Sequence, residues 1–375
     1  MSPQQQMVPP TPEQMAALLN GPTIPSPNGF YQLDDPPNGN HIAIPVTSIC
    51  CVLSAMFFLV RFYAKISTKK YNSSDYLTAI AFPLYWVYIY YTFKLSWTPG
   101  FMINMWNIRL RDISDFSWVC WIATNLYLVI IALVKCAILL EWVNLFVPRG
   151  QSNYFSWISY ATCVAISLYS IILFSMNFAN CTPFESNWNQ LSPNRFCRFK
   201  VPHFALASAI VNSILDVVPL LLAQKVIWGL KLPNKKKLGV SIMFLVGIIG
   251  FASALLRVVY AVQFMSSPDV SYYFSIMGLL SLCETTCTNI ILCVPFLPKL
   301  VKSFQESTVF LGVRSRLTTN KSSGGGGITS KSGSYVQSHE LPRINSSRTD
   351  RLLHSSSTDR NTMYSTPSGR YVPLG

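Results

Sequence analysis

Charge is what this chain has least of. Only 12% of its 375 residues are Asp, Glu, Lys or Arg, and residues 1–41 contain no Lys or Arg at all. Half of the residues are hydrophobic and the mean hydropathy is +0.33. Such a chain is too apolar to hide its surface in water, which excludes an ordinary soluble domain and predicts an all-α, multi-span membrane protein. Histidine is scarce as well. Of four in all, only His203 falls in an apolar run, too few for the ligand set of a membrane zinc hydrolase. Residues 271–297 contain no lysine, so a retinal Schiff base has no place in the seventh run. The glycines at 324–327 are followed by no Lys-Ser or Lys-Thr step, which excludes a phosphate-binding loop of that kind. No catalytic constellation is visible, and no enzyme activity, cofactor or metal is expected. The net charge of +14 gathers between apolar runs and in the tail, where membrane proteins keep Lys and Arg, so nucleic acid is not an expected partner. No short cleavable apolar segment opens the chain, and the first span is expected to act as its own insertion signal.

What is present is length of apolar sequence. Seven runs lie near 42–64, 76–97, 116–140, 154–179, 202–228, 239–264 and 271–297, each long enough to cross the hydrocarbon layer as a helix. Lys and Arg in the connections divide ten on one side against five on the other, with none in residues 1–41. That asymmetry predicts the N-terminus outside and the C-terminus in the cytoplasm; the plasma membrane is the expected location. The chain accordingly divides into an extracellular tail (1–41), a seven-helix membrane domain (42–298) and a cytoplasmic segment (299–375). Within the first, Thr11-Pro12-Glu13 followed by an apolar stretch and Gly21 predicts a two-turn helix, with the remainder extended or disordered. In the last, Leu297, Leu300, Val301 and Phe304 share a helical face and predict a short amphipathic helix on the inner leaflet. Beyond it, 24 of the 73 residues from Ser303 onward are Ser or Thr, which cannot bury a core and predicts disorder.

Seven aromatics lie between Tyr85 and Trp97. They fit an interfacial aromatic belt at the outer face, or the lining of an extracellular pocket. Four ionisable residues sit well inside runs: Lys135, Asp216, Arg257 and Glu284. An ion in the bilayer is costly unless it faces partners, so these two cations and two anions should neutralise one another in a bundle core. At 1.5 Å rise per residue, Asp216 and Glu284 fall near mid-membrane, Arg257 about 9 Å outward and Lys135 about 10 Å inward. Asn212 shares a helical face with Asp216. The set, with Asn125 and Asn289, holds helices in register on one reading, and contacts a ligand or re-pairs as a switch on the other. Cys181 and Cys197 flank the fourth connection on the outer side, where a disulfide can form. Their pairing closes a loop of about 17 residues, worth on the order of 3 kcal/mol in the chain-entropy model. Cys120 is the rival partner. Asn180-Cys181-Thr182 is a glycosylation sequon, but its closeness to the membrane and overlap with the disulfide argue against its use.

The chain resembles the fungal rhodopsin-domain integral membrane proteins over roughly residues 10 to 300. The resemblance is carried by the tail around Leu18 to Gly29, Arg61 with Asp75, Lys135, Cys181-Thr182-Pro183, Trp188 and Cys197. It continues through Asn212, Asp216, Pro219, Arg257, Glu284, Pro295 and Pro298. Departures are Ser74-Asp75 where the family carries an acidic pair, Cys136 where it carries Ser, and WVNLF at the end of the third run. The family is one of seven-helix, receptor-like proteins that includes a pathogenicity receptor, some members having a cysteine-rich extracellular domain that residues 1–41 lack. A receptor-like protein is the leading expectation: the bilayer around it, a small extracellular ligand and a cytoplasmic signalling protein as partners. A transporter or channel using the intramembrane charges is the alternative, although interruptions at Pro83, Pro219 and Gly247/Gly250 show no matching halves. A structural membrane protein without a ligand is the third.

Overall fold

The structure, a computed structural model, describes residues 11–69, 71–147, 154–192, 194–229 and 234–297. Among the described residues eight α-helices follow one another: α1 (Pro12–Asn20), α2 (Asn40–Thr68), α3 (Ser73–Lys94), α4 (Ile113–Phe146), α5 (Tyr154–Phe178), α6 (Val201–Gly229), α7 (Asn234–Ser266) and α8 (Val270–Cys293). Helix α1 starts on a capping box: Gln14 N donates to Thr11 Oγ1 and the Gln14 side chain accepts from Thr11 N. The amphipathic segment expected past 297 and the Ser/Thr-rich tail lie outside the described residues, as do Arg149 and Lys231.

Helices α2 and α4 to α8 are long and apolar enough to cross a membrane. Helix α3 is long enough at 22 residues, but its five tyrosines lower its hydropathy and help keep it out of that set. Helix α4 is the axis of the bundle. Its most apolar stretch is 72% buried, against 56% in α8 and 22–28% in α2, α5, α6 and α7, whose outer faces meet lipid. Three helices carry an interior proline, Pro45 in α2, Pro83 in α3 and Pro219 in α6. Each removes one backbone donor, a loss that neighbouring helices make tolerable in a membrane bundle.

One end of the bundle is closed by a cap. The segment after α1, expected to be extended or disordered, forms no helix between Gly21 and Gly39. Its polar backbone finds partners in the connection between α3 and α4: Thr23 N donates to Ile108 O and Leu110 N to Gly21 O, at 3.0 and 3.1 Å. Gln32 N donates to Asn107 Oδ1 at 3.1 Å, and Arg109 pairs with Asp34. The connection in turn inserts Phe101, Ile103 and Ile108 into the mouth of the bundle, each 2% exposed or less. Gly100 makes the bend possible: its φ of +144° is open only to glycine, and a Cβ there would meet Ile103 Cδ1 at 2.9 Å. Asp269, just before α8, fastens the plug by accepting from Asn104 Nδ2 at 2.5 Å and Met105 N at 2.8 Å. The aromatic run is split by this arrangement. Tyr85 and Tyr88 are buried in the core, while Tyr90 and Trp97 are 60% and 70% exposed.

Candidate functional site

Four helices each bring one ion to the middle of the bundle. Lys135 of α4 places Nζ 2.5 Å from Asp216 Oδ1 of α6 and 3.2 Å from Glu284 Oε1 of α8. Asn212, one turn before Asp216, binds the same three groups. Its Oδ1 accepts from Lys135 Nζ at 2.9 Å, and its Nδ2 donates to Glu284 Oε1 at 2.8 Å and to Asp216 Oδ2 at 3.3 Å. Arg257 of α7 reaches Glu284 from the cap side. Its Nη1 donates to the Tyr127 hydroxyl at 2.5 Å, and that hydroxyl donates to Glu284 Oε2 at 2.9 Å. The guanidinium also lies over the Tyr127 ring, 5.0 Å from its centroid, while Nη2 is 3.4 Å from Glu284 Oε2 without hydrogen-bond geometry. Glu284 is thus the shared anion, and Asp216 belongs to Lys135 alone among the cations.

The depth estimate agrees with the direction from which each cation reaches in. Lys135 starts on the far side of the two carboxylates and Arg257 on the cap side, so each long side chain reaches inward to the level of Glu284. Charge is balanced two against two, which lowers the cost of keeping ions out of water. The four are unequally enclosed: Asp216 has a side-chain exposure of 15%, against 3–7% for the other three. A cavity of about 60 Å³ adjoins Asp216. It lies on the side of the ions away from the cap, between α4, α6, α7 and α8, with Lys135, Asp216, Glu284 and Thr288 on its polar wall. Gly247 lines it too, and a Cβ there would stand 2.8 Å from Leu220 Cδ2, so glycine lets α7 approach α6.

A second set of four charges closes the bundle at the end opposite the cap. Arg61 Nη2 donates to Asp75 Oδ1 at 2.8 Å, to Ser74 Oγ at 3.0 Å and to Glu141 Oε2 at 3.4 Å, and Nη1 donates to Leu292 O at 3.0 Å. Lys65 Nζ sits 2.8 Å from Asp75 Oδ2 and 3.6 Å from Glu141 Oε1. The Phe296 ring covers both cations at 4.8 Å. Asp75 also accepts from Asn72 N at 2.8 Å and so starts α3. Sequence reasoning saw Arg61 and Asp75 only through the family resemblance and missed Glu141, which falls one residue beyond the expected span end. Tyr127 was missed too. Its spacing of eight from Lys135 puts both near one face of α4, a signal that periodicity offers.

At the cap end, Cys181 and Cys197 are bonded, in register across the two-residue ladder Cys181–Thr182 with Phe196–Cys197. Cys120 is a free, buried cysteine. Asn180 Oδ1 accepts from Phe199 N at 2.9 Å, which engages the sequon side chain in the same turn. Asn125 accepts from Asn177 Nδ2 at 3.1 Å and ties α4 to α5. Asn289 is fully buried, with both side-chain polar atoms lacking a hydrogen-bond partner among the described residues.

The family model described as the fungal rhodopsin domain matches residues 60–303, a stretch that contains both charge clusters and the disulfide. Fugralins biosynthesis cluster protein 2 of Gibberella zeae is 34% identical over 293 residues, covering 76% of this chain and 71% of the relative. A SAT4 family membrane protein of Emericella nidulans is 22% identical over 218 residues, 58% of this chain and 54% of that protein. No solved structure matches the chain.

Proposed function

Because the chain belongs to the fungal rhodopsin domain family and is a multi-pass membrane protein, we propose that it is a receptor-like protein that senses an extracellular cue and signals to the cytoplasm. In this reading α3 is the seventh span, its tyrosines lowering its hydropathy without shortening it. The capped end faces outside, the second charge cluster faces the cytoplasm, and the protein resides in the plasma membrane without catalytic activity. The basic connections on the cytoplasmic side would meet a signalling protein.

The observation that carries the reading is the balanced core. Lys135 touches two carboxylates and Glu284 touches two cations, so each of these two keeps an opposite charge when α6 or α7 shifts. Such an element has two arrangements that a ligand can bias. The cavity beside Asp216 favours a second reading, transport of a proton or small solute through the same ions. The two separate in one comparison. Purified protein in liposomes, with a pH-sensitive dye inside and an imposed potential, should show no flux, whereas cells lacking the gene should lose a transcriptional response to conditioned medium. Flux abolished by Asp216→Asn would replace the receptor by a transporter. A tag after Gly375 that labels on intact cells would overturn the orientation.

A further inference from the structure

Resting on the receptor reading, and naming the kind of cue the core would take, we propose that the cavity beside Asp216 binds the head of a neutral, membrane-soluble alcohol. Its walls decide the class. Trp142, Leu220, Met243, Phe244, Phe251 and Ile291 make most of the lining apolar, so most of a guest's surface there must be hydrocarbon. The polar wall carries two carboxylates already matched by Lys135 and Arg257, and a charged guest would leave an unbalanced ion in the bundle.

Hydrogen-bond capacity then selects among neutral heads. A carboxylate offers about four acceptor positions. Asp216 Oδ1 is occupied by Lys135, but among the described residues Oδ2 has only the 3.3 Å contact from Asn212, and Asp216 is the most accessible of the four ions. Thr288, also on the cavity wall, spends its hydroxyl proton on Glu284 O at 2.7 Å, which leaves its oxygen to accept. Both groups ask for a donor. A hydroxyl supplies one without a charge.

Access points the same way. From the cap end the path is blocked by buried Phe101, Ile103 and Ile108, held by Asp269. Outer faces of α6 and α7 are instead lipid-exposed, which makes the bilayer the route of entry. A volume of about 60 Å³ is well below the roughly 150 Å³ that takes a benzene ring, so it admits the hydroxyl and the first few carbons.

The test uses the purified full chain in lipid nanodiscs and an aliphatic alcohol bearing a diazirine as photoprobe. Labelled peptides should map to the cavity-lining parts of α6, α7 and α8. An excess of 1-hexanol should reduce labelling at least fivefold, while hexylammonium and hexanoate at equal membrane concentration should not. Ala223→Leu, which fills the cavity from α6, should abolish labelling in protein that retains the wild-type helix content. If that variant fails to fold, the competition series in the wild type decides alone. Labelling confined to the lipid-facing surface, labelling that survives Ala223→Leu, or stronger competition by the amine would overturn the proposal. The receptor reading fails separately. Labelled protein without any cellular response keeps the site and removes the receptor, and a response without labelling does the reverse.

Discussion

The molecule carries two neutral clusters of two cations and two anions, and they are built differently. At the end of the bundle, Arg61 and Lys65 come from one helix and meet Asp75 and Glu141 under the Phe296 ring. Arg61 there reaches two carboxylates, a serine hydroxyl and a backbone carbonyl, a set that locks four helices together. In the centre, each ion comes from a different helix, and a cavity adjoins three of the four. Arg257 keeps Nε and Nη2 without a hydrogen-bond partner among the described residues. Full pairing makes a clamp. Incomplete pairing beside space makes something that can rearrange.

Glu284→Ala should have the largest effect in either cluster. It leaves Arg257 without its carboxylate and takes one of two carboxylates from Lys135 and one acceptor each from Tyr127 and Asn212, and breaking a buried pair on one side costs about 3–5 kcal/mol. Surface delivery, read with an N-terminal tag, should collapse. Near-normal delivery would mean that the centre is not a stabilising cluster at all.

Arg61→Met comes next, at about 3 kcal/mol, because it leaves Asp75 and Glu141 with Lys65 alone. A clamp has no second role, so the protein that does reach the surface should respond as the wild type does, molecule for molecule. A lost response at equal surface amount would move the switch to the end cluster.

How much of this contrast was legible beforehand depended on where each charge stood. Lys135, Asp216, Arg257 and Glu284 are conspicuous because nothing else in their runs is charged, so their grouping followed from energetics alone. Their partners did not follow. Depth along a helix is readable, but whether Asp216 meets Lys135 or Arg257 depends on rotation about helix axes that periodicity does not fix. Glu141 and Lys65 hid at run ends, where a charge is ordinarily solvated. Seven long helices were readable from the apolar runs, six of them apolar enough to cross a membrane, whereas the cap was not. Residues 21–41 and 95–112 have no period to read, and their order comes from long-range hydrogen bonds such as Thr23 to Ile108.

Asp216→Asn should be milder, about 1–2 kcal/mol, because Lys135 keeps Glu284 and Asn212 as partners and a carbonyl oxygen can still accept. Surface amount should stay above half of wild type while the response changes. Adding Lys135→Met to Asp216→Asn restores the charge balance of the core and should recover stability without recovering the response. Recovery of both would leave the central cluster structural, like the end one.

Tyr127→Phe is the smallest change and the sharpest. The phenol oxygen is the only atom removed, and it accepts from Arg257 at 2.5 Å while donating to Glu284 at 2.9 Å. The ring under the guanidinium remains, so the cation–π contact at 5.0 Å survives, and Nη1 keeps Ser281 Oγ at 3.3 Å. The loss should therefore be that of ordinary buried hydrogen bonds, about 1–2 kcal/mol, seen as a few degrees in the unfolding midpoint. What it tests is the link between the cap-side cation and the shared anion. If Arg257 is held to Glu284 chiefly through the hydroxyl, its removal loosens α7 against α8, and hydrogen exchange should rise in the middle of α7 while the ends of α2 and α3 stay protected. Equal exchange at both clusters would show that Arg257 is held by charge alone, with Tyr127 serving only as packing between α4 and α7.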